Sequence, residues 1–269
     1  MAIFEELKKT IDPAIIHLID KELSPDGRVQ KLLGGKVLKF AFDYQPIMDS
    51  IDPQIKENRN RALHILNAVS ERSPYLTYQV LGGNFKTDRH EGIELHRELS
   101  ITTLDRLLEK EPLPPLSDCA RYITEAMRGA AFLVKHNLRL TDLAPHNIAI
   151  NQELNTGQLF DYDSLFTDDF VMEGYMTHPG FCPPERIPEK DTEAMNYTDQ
   201  FEVFLSMMGP MPPQIEGIIT EAEMVYEFGA TLTKVFQVYT EPVPEIVEKM
   251  SSPDPTKRPK LIEVIDTLT

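Results

Sequence analysis

Cysteine and tryptophan are scarce in this chain of 269 residues, which has two cysteines and no tryptophan. Cys119 and Cys182 form neither a C-x-x-C pair nor a dense disulfide pattern, which argues against a thiolate metal site. Isolated cysteines of this kind fit a reducing compartment. We therefore expect two free thiols and a cytoplasmic location.

Long apolar runs are also missing. No stretch of the sequence approaches the ~18 consecutive apolar residues that indicate a membrane span. Residues 1–20, MAIFEELKKTIDPAIIHLID, carry acidic side chains where a signal peptide would have a long apolar core. The sequence therefore predicts neither a signal peptide nor a membrane span.

Basic residues are in deficit. The chain has 27 Lys and Arg against 43 Asp and Glu, which gives a formal net charge of -16. A negative field of this size repels nucleic acid and anionic membrane surfaces. We therefore expect no nucleic-acid partner.

The pattern of secondary structure changes near residue 100. Before this point, two strand-like runs at 36–42 and 75–81 flank a helical segment at 55–70. After it, helical periodicity dominates, beginning with SDCARYITEAMRGAAFLVKHN at 117–137, where we expect Ser117 to cap a helix. One face of this helix should be buried; its apolar positions are Ile123, Met127, Ala130, Ala131 and Val134.

These patterns predict an α+β fold in a single domain over residues 1–269. A small mixed lobe with an antiparallel sheet is expected at 1–99, where it includes an N-terminal helical extension, and a larger, mostly helical lobe is expected at 100–269. No internal repeat or Gly/Ser linker divides the chain.

The stretch LTDLAPHNIAI, residues 140–150, carries the first chemical signal. Asp142 and Asn147 have the D-x-x-x-x-N spacing of a phosphoryl-transfer loop, although a polar loop between a helix and a strand could have the same composition. The segments NIAIN and QLFDYD, separated by a turn around NTG, predict a hairpin that brings Asp161 to the same place.

The order of motifs along almost the whole chain resembles the protein kinase family. LTDLAPHNIAI resembles the catalytic loop, and LFDYDSL resembles the metal-binding segment that follows it. YMTHPGFCPPE resembles the end of an activation segment, while YTDQFEVF and DPTKRP resemble later parts of the large lobe. The resemblance implies a two-lobed protein kinase-like fold.

The resemblance also implies the roles of four side chains. Asp142 would be the catalytic base, and Lys39 would be a catalytic residue that binds the phosphates of ATP. Asn147 and Asp161 would bind the nucleotide through Mg²⁺ or Mn²⁺, because carboxylate and amide oxygens are hard ligands. Lys39 lies in the strand-like run KVLKFAF and shares a predicted strand face with Val37.

Three further residues are expected to have structural roles. Glu185 of the PPE segment would pair with Arg258 of the KRP segment, and Asp199 would brace the catalytic loop from behind. These roles are typical of active and inactive relatives alike, so they concern the fold and not the activity.

Several positions depart from the kinase pattern. Asp163 replaces a glycine, so it could bind metal or stiffen the turn. Ala62 stands where a glutamate should clasp the lysine, with Glu57 and Glu71 as the nearest substitutes. No G-x-G-x-x-G loop precedes Lys39, so the backbone amides would enclose the phosphates less closely.

The sequence therefore leaves several functions open. We expect first a divergent protein kinase that transfers the γ-phosphate of ATP to a hydroxyl side chain of a protein substrate. The alternative is a pseudokinase that acts as a nucleotide- or protein-binding scaffold. A small-molecule phosphotransferase is less favoured, and transfer of a nucleotidyl group is also compatible with the unusual glycine loop.

Overall fold

A computed structural model of the chain describes residues 19–22, 29–32, 37–42, 53–80, 90–96, 102–172, 177, 179–186 and 217–269. The expected N-terminal helical extension lies outside these residues, and so does Asp199. The described part has an α+β fold with small antiparallel sheets and several helices, as the sequence predicts.

The strands described before residue 100 form one antiparallel sheet of five strands. The strands are β1 (Ile19–Glu22), β2 (Val29–Leu32), β3 (Val37–Phe42), β4 (Tyr78–Val80) and β5 (His90–His96). Their order in the sheet is β1-β2-β3-β5-β4, which makes β3 the central strand. Lys39 of β3 is in register with Val29 on one side and Glu94 on the other.

Helix α1 (Pro53–Val69) lies between β3 and β4 along the chain. Its buried side chains Asn58, Ala62 and Leu66 recur every four residues and form one stripe. This helix packs against β10 (Leu165–Thr167), a short strand that is paired antiparallel with β7 (Leu138–Leu140).

Helix α3 (Leu116–Lys135), which follows the short helix α2 (Leu104–Leu108), is central to the core. The predicted face is present: Ile123, Met127 and Ala130 are fully buried, and Ala131 and Val134 pack against the core. The prediction that Ser117 caps this helix is wrong. The N-cap is Pro115, with a fixed φ of -56°, and the helix starts two residues earlier than predicted, so Ser117 lies within the first turn.

The predicted hairpin consists of β8 (Ile148–Asn151) and β9 (Thr156–Leu159), with β6 (Thr102–Thr103) paired to the other edge of β8. Its turn lies at residues 152–155, so only the asparagine of the expected NTG turn belongs to it. Gly157 fits the hairpin against α3: an added Cβ would lie 2.0 Å from the main-chain oxygen of Tyr122. A larger residue there would push the hairpin away from the helix.

Beyond β10, the described residues include a short strand pair, β11 (Val171–Met172) with β12 (Gly217–Ile218). Helices α4 (Glu221–Val238), α5 (Glu245–Met250) and α6 (Leu261–Leu268) follow. A capping box between Thr220 and Glu223 starts α4. The buried side chains of α3, α4, α6 and the hairpin form one hydrophobic core.

None of the helices in the described stretches is long and apolar enough to cross a membrane. Cys119 and Cys182 are both free thiols, and both are at least partly shielded from solvent.

A partly buried ion pair joins the segment of Glu185 to the loop after α5. The guanidinium of Arg258 donates from Nη1 to Oε1 of Glu185 at 2.6 Å and from Nη2 to Oε2 at 2.7 Å. The Arg258 side chain is 0% exposed, and it also donates to the main-chain oxygens of Ser252 and Ala222. Arg258 therefore holds three segments together.

We expect Arg258→Met to lower the free energy of unfolding by on the order of 3 kcal/mol, because it strands the Glu185 carboxylate and removes two further hydrogen bonds. Combining it with Glu185→Leu should recover part of this loss. Urea denaturation of the two single variants and the double variant measures the coupling.

Lys257→Met is the matched control, since its ion pair with Asp254 is solvent-exposed; its effect should stay within about 0.5 kcal/mol. Simple additivity of the losses from Arg258→Met and Glu185→Leu would contradict the coupling.

Candidate functional site

The site is built on the loop between β7 and β8. The buried strand β7 ends at Leu140, and the chain then reverses so sharply that Asp142 adopts a left-handed backbone with φ 61°. Aspartate tolerates this conformation better than most residues because its short polar side chain can bond locally. A single 3₁₀ turn at Pro145–Asn147 leads from the loop into β8.

Asn147 is tied to Asp142 across this loop. Its Nδ2 atom donates to the main-chain oxygen of Asp142 and to its Oδ2, both at 2.8 Å. Because an amide nitrogen only donates and an amide oxygen only accepts, these contacts fix the orientation of the amide, with Oδ1 turned away from Asp142. The Asp142 side chain remains 29% exposed, so a substrate can reach it.

Asp161 lies just beyond the hairpin, in the D-Y-D segment. Its backbone is also left-handed, with φ 62°. The N–H of Asp163 donates to Asp161 Oδ1 at 3.2 Å, which closes a small turn. Between them, Tyr162 is fully buried; its hydroxyl donates to the main-chain oxygen of Leu159 and accepts the N–H of Thr77.

Backbone contacts bring these two segments side by side. Thr141 N–H donates to the main-chain oxygen of Ser164 at 3.3 Å, and the Ser164 hydroxyl donates back to the Thr141 oxygen at 2.8 Å. The N–H of Phe160 donates to the main-chain oxygen of Asn147 at 3.0 Å. The structure thus brings Asp142, Asn147 and Asp161 onto adjoining segments.

Helix α4 supports the loop from behind. Glu227 is fully buried, and its Oε1 and Oε2 accept the N–H groups of Asp142 and Leu143 at 3.2 and 2.9 Å. One turn further along α4, the Thr231 hydroxyl donates to the main-chain oxygen of Leu143 at 2.8 Å. The resemblance predicts that Asp199 braces the loop from behind. In the part of the chain that the structure describes, Glu227 makes a contact of this kind.

Glu227 is missed by motif reasoning, but the sequence holds a signal for it. Glu223, Glu227 and Thr231 recur every four residues along α4, and all three are buried. A buried acid on an apolar helix face requires a partner. The partner of Glu223 is the buried guanidinium of Arg186, and the partners of Glu227 are the loop N–H groups.

Burial governs the ionisation of Glu227. Removal from water raises the pKa of Glu227 from its ordinary value of 4.5 to about 8, and the nearby Asp142 charge acts in the same direction. The loop N–H groups oppose this shift because they favour the ionised form.

His146 lies beside Asp142. Its Nε2 is 3.5 Å from Oδ2 of Asp142, and the hydrogen bond to Asp142 raises the pKa of His146. The charges of Asp142, Asp105 and Asp161 add to this effect, and burial opposes it.

The chemistry of the donors suits a hard divalent cation. Asp161 offers a carboxylate and Asn147 an amide oxygen, the ligand types that Mg²⁺ takes from proteins, usually only one or two at a time. Within the part of the chain that the structure describes, no three His, Cys, Asp or Glu side chains are grouped so as to hold a metal. A cation here would therefore complete its shell with water and substrate phosphates.

Asp163 and Lys39 are the other two predicted site residues. Asp163 faces Arg59 of α1, with 3.0 Å between Oδ1 and Nη2. Lys39 lies on β3, and the structure describes its backbone position only.

Comparison of the chain with models of protein families and with curated proteins finds no match. Function must therefore be inferred from the site itself.

We expect the free energy of unfolding to fall as the pH rises from about 5 to about 8, because Glu227 stays protonated in the folded chain while it ionises in the unfolded one. Its contribution to the slope is at most ~1.4 kcal/mol per pH unit. Glu227→Gln cannot titrate, so urea denaturation across this range should show a flatter pH dependence for the variant.

Glu153→Gln, an exposed substitution in the hairpin turn, should keep the wild-type slope. Equal slopes for wild type and Glu227→Gln would contradict a raised pKa for Glu227.

Proposed function

We propose that the chain is a divergent protein kinase-like phosphotransferase that uses ATP with Mg²⁺ or Mn²⁺ and modifies a hydroxyl side chain of a protein substrate. One observation carries this proposal: Asn147 donates from Nδ2 to Asp142, and its main-chain oxygen accepts the N–H of Phe160, next to Asp161. A base and two hard oxygen ligands on adjoining segments are what phosphoryl transfer requires.

The proposed fold has two lobes, at residues 1–99 and 100–269. The antiparallel order β1-β2-β3-β5-β4 and the position of α1 between β3 and β4 support the small lobe. The helices after residue 102 and the pair between Glu185 and Arg258 support the large one.

In the proposed reaction, Asp142 orients the acceptor hydroxyl and accepts its proton as the hydroxyl oxygen bonds to phosphorus and the leaving oxygen departs. Asn147 and Asp161 would hold the cation, and Lys39 would bind the phosphates. Bound metal and nucleotide supply the phosphoryl group and neutralise its charge. Glu227 keeps Asp142 in place, because it holds the N–H groups of Asp142 and Leu143.

One observation favours a second candidate, a pseudokinase that acts as a scaffold. Ala62 is fully buried on α1, at the position where an active kinase would have an acid to clasp the lysine. A scaffold would keep the fold and lose the transfer. Measured transfer separates the two candidates.

We expect Asp142→Asn to reduce phosphate transfer by at least ~10²-fold while the affinity for ATP changes little, because a general base contributes to the transition state and not to nucleotide binding. Asparagine keeps the shape and tolerates the left-handed backbone at this position. The measurements are radiolabel transfer from ATP to dephosphorylated casein and mass spectrometry of the chain for added phosphate or AMP.

Asp266→Asn, an exposed change on α6, is the control and should retain transfer. If wild type transfers nothing to protein or to itself, the scaffold is favoured. Wild-type transfer that survives in Asp142→Asn would refute the role of Asp142.

We expect Asp161→Asn to abolish the stabilisation by ATP that depends on Mg²⁺ or Mn²⁺, while the melting temperature without ligand changes little. The change removes the charge that binds the cation and keeps the side-chain size and the backbone conformation. Thermal-shift titrations with ATP, with and without metal, measure the effect; unchanged metal-dependent stabilisation would contradict the ligand role.

A further inference from the structure

An ion pair joins the segments that carry two departures from the kinase pattern. Ala62 of α1 replaces an expected acid, and Asp163 replaces an expected glycine. Arg59, one turn before Ala62, places Nη2 at 3.0 Å from Oδ1 of Asp163. The two side chains are only 13% and 15% exposed, so this pair is screened much less than a surface ion pair.

The pair is connected to the candidate metal ligand. Asp163, held by Arg59 through its side chain, donates its N–H to Oδ1 of Asp161. Asp161 has a left-handed backbone, which needs support from its surroundings. The chain of contacts therefore runs from α1, through the turn, to the carboxylate that would bind the cation.

We propose that Arg59 is a positioning residue for the metal site, and that Asp163 anchors it and is not a metal ligand. The inference rests on the proposed function. Oδ1 of Asp163 is engaged by a guanidinium, and a cation this close disfavours a second cation on the same carboxylate. Asp163 thus stiffens the turn that presents Asp161.

Other contacts of α1 dock the helix without reaching this turn. Asn58 donates to the Thr167 hydroxyl through Nδ2, and its Oδ1 accepts the Thr167 N–H at 3.0 Å. Arg61 pairs with Asp169 in an exposed ion pair at 3.1 Å. The chain therefore offers two matched controls. Asn58→Ala removes a buried contact that docks the helix, and Arg61→Met removes a positive charge from the same helix.

The test is the affinity for Mn²⁺ in the presence of a non-hydrolysable ATP analogue, measured by electron paramagnetic resonance of free Mn²⁺. We expect Arg59→Met to weaken Mn²⁺ binding about tenfold, as is usual for residues that orient a metal ligand. Asp163→Asn should weaken it to a similar degree. The double variant should be no weaker than either single one, and Arg59→Lys should retain most of the affinity.

Arg61→Met should leave Mn²⁺ affinity unchanged, and Asn58→Ala should lower stability with a smaller effect on Mn²⁺. A second readout needs no ligand: amide exchange of Asp163, measured by NMR, should be faster in Arg59→Met than in Arg61→Met, because the Asp163 N–H bond to Asp161 is loosened.

Three results would overturn the inference while the proposed function survives. Unchanged or tighter Mn²⁺ binding in Arg59→Met would mean that Asp163 becomes a ligand once released. Additive losses in the double variant would mean independent roles. An equal loss in Asn58→Ala would mean general helix docking. Absence of Mn²⁺-nucleotide binding by wild type would instead overturn the proposed function together with this inference.

Discussion

The carboxyl group of Glu227 is the contact on which the geometry of the candidate site depends. Its two oxygens accept the N–H groups of Asp142 and Leu143, where the chain turns into a left-handed conformation. Each N–H group buried without such an acceptor would lower the free energy of unfolding by about 1–3 kcal/mol. The Thr231 hydroxyl donates to the main-chain oxygen of Leu143, so one face of α4 provides hydrogen-bond partners for the inward-facing backbone groups of the loop. The position of Asn147 follows, because it is bonded to Asp142.

Sequence reasoning succeeds where the signal is local. The apolar spacing of α3 predicts a helix, and two strand-like segments separated by a turn predict the hairpin of β8 and β9. The structure contains both, because helix and strand periods are set by the backbone. The pairing of Glu185 with Arg258 was also predicted, since two motifs of known order supply its partners. The error at Ser117 arises from a competing start signal: Pro115 fixes its own φ and begins the helix first.

The remaining features depend on contacts between distant segments. Glu227 is 85 residues from the loop residue Asp142, and Arg59 is 104 residues from Asp163. No period or spacing links such positions, because their proximity results from how the elements pack. A sequence can still indicate that a buried acid needs a partner. It cannot indicate which backbone or side chain provides that partner until the packing is known.

This difference matters most for judging activity. When positions are compared with a family pattern one at a time, the missing acid at Ala62 and the extra acid at Asp163 count as two separate departures from that pattern. The ion pair with Arg59 makes them parts of one arrangement, in which the helix supplies the cation and the loop supplies the anion. Because Asp163 also holds Asp161, any displacement of α1 acts on the candidate metal ligand through the turn. The pair of Arg59 and Asp163 thereby links the helix to the carboxylate of Asp161.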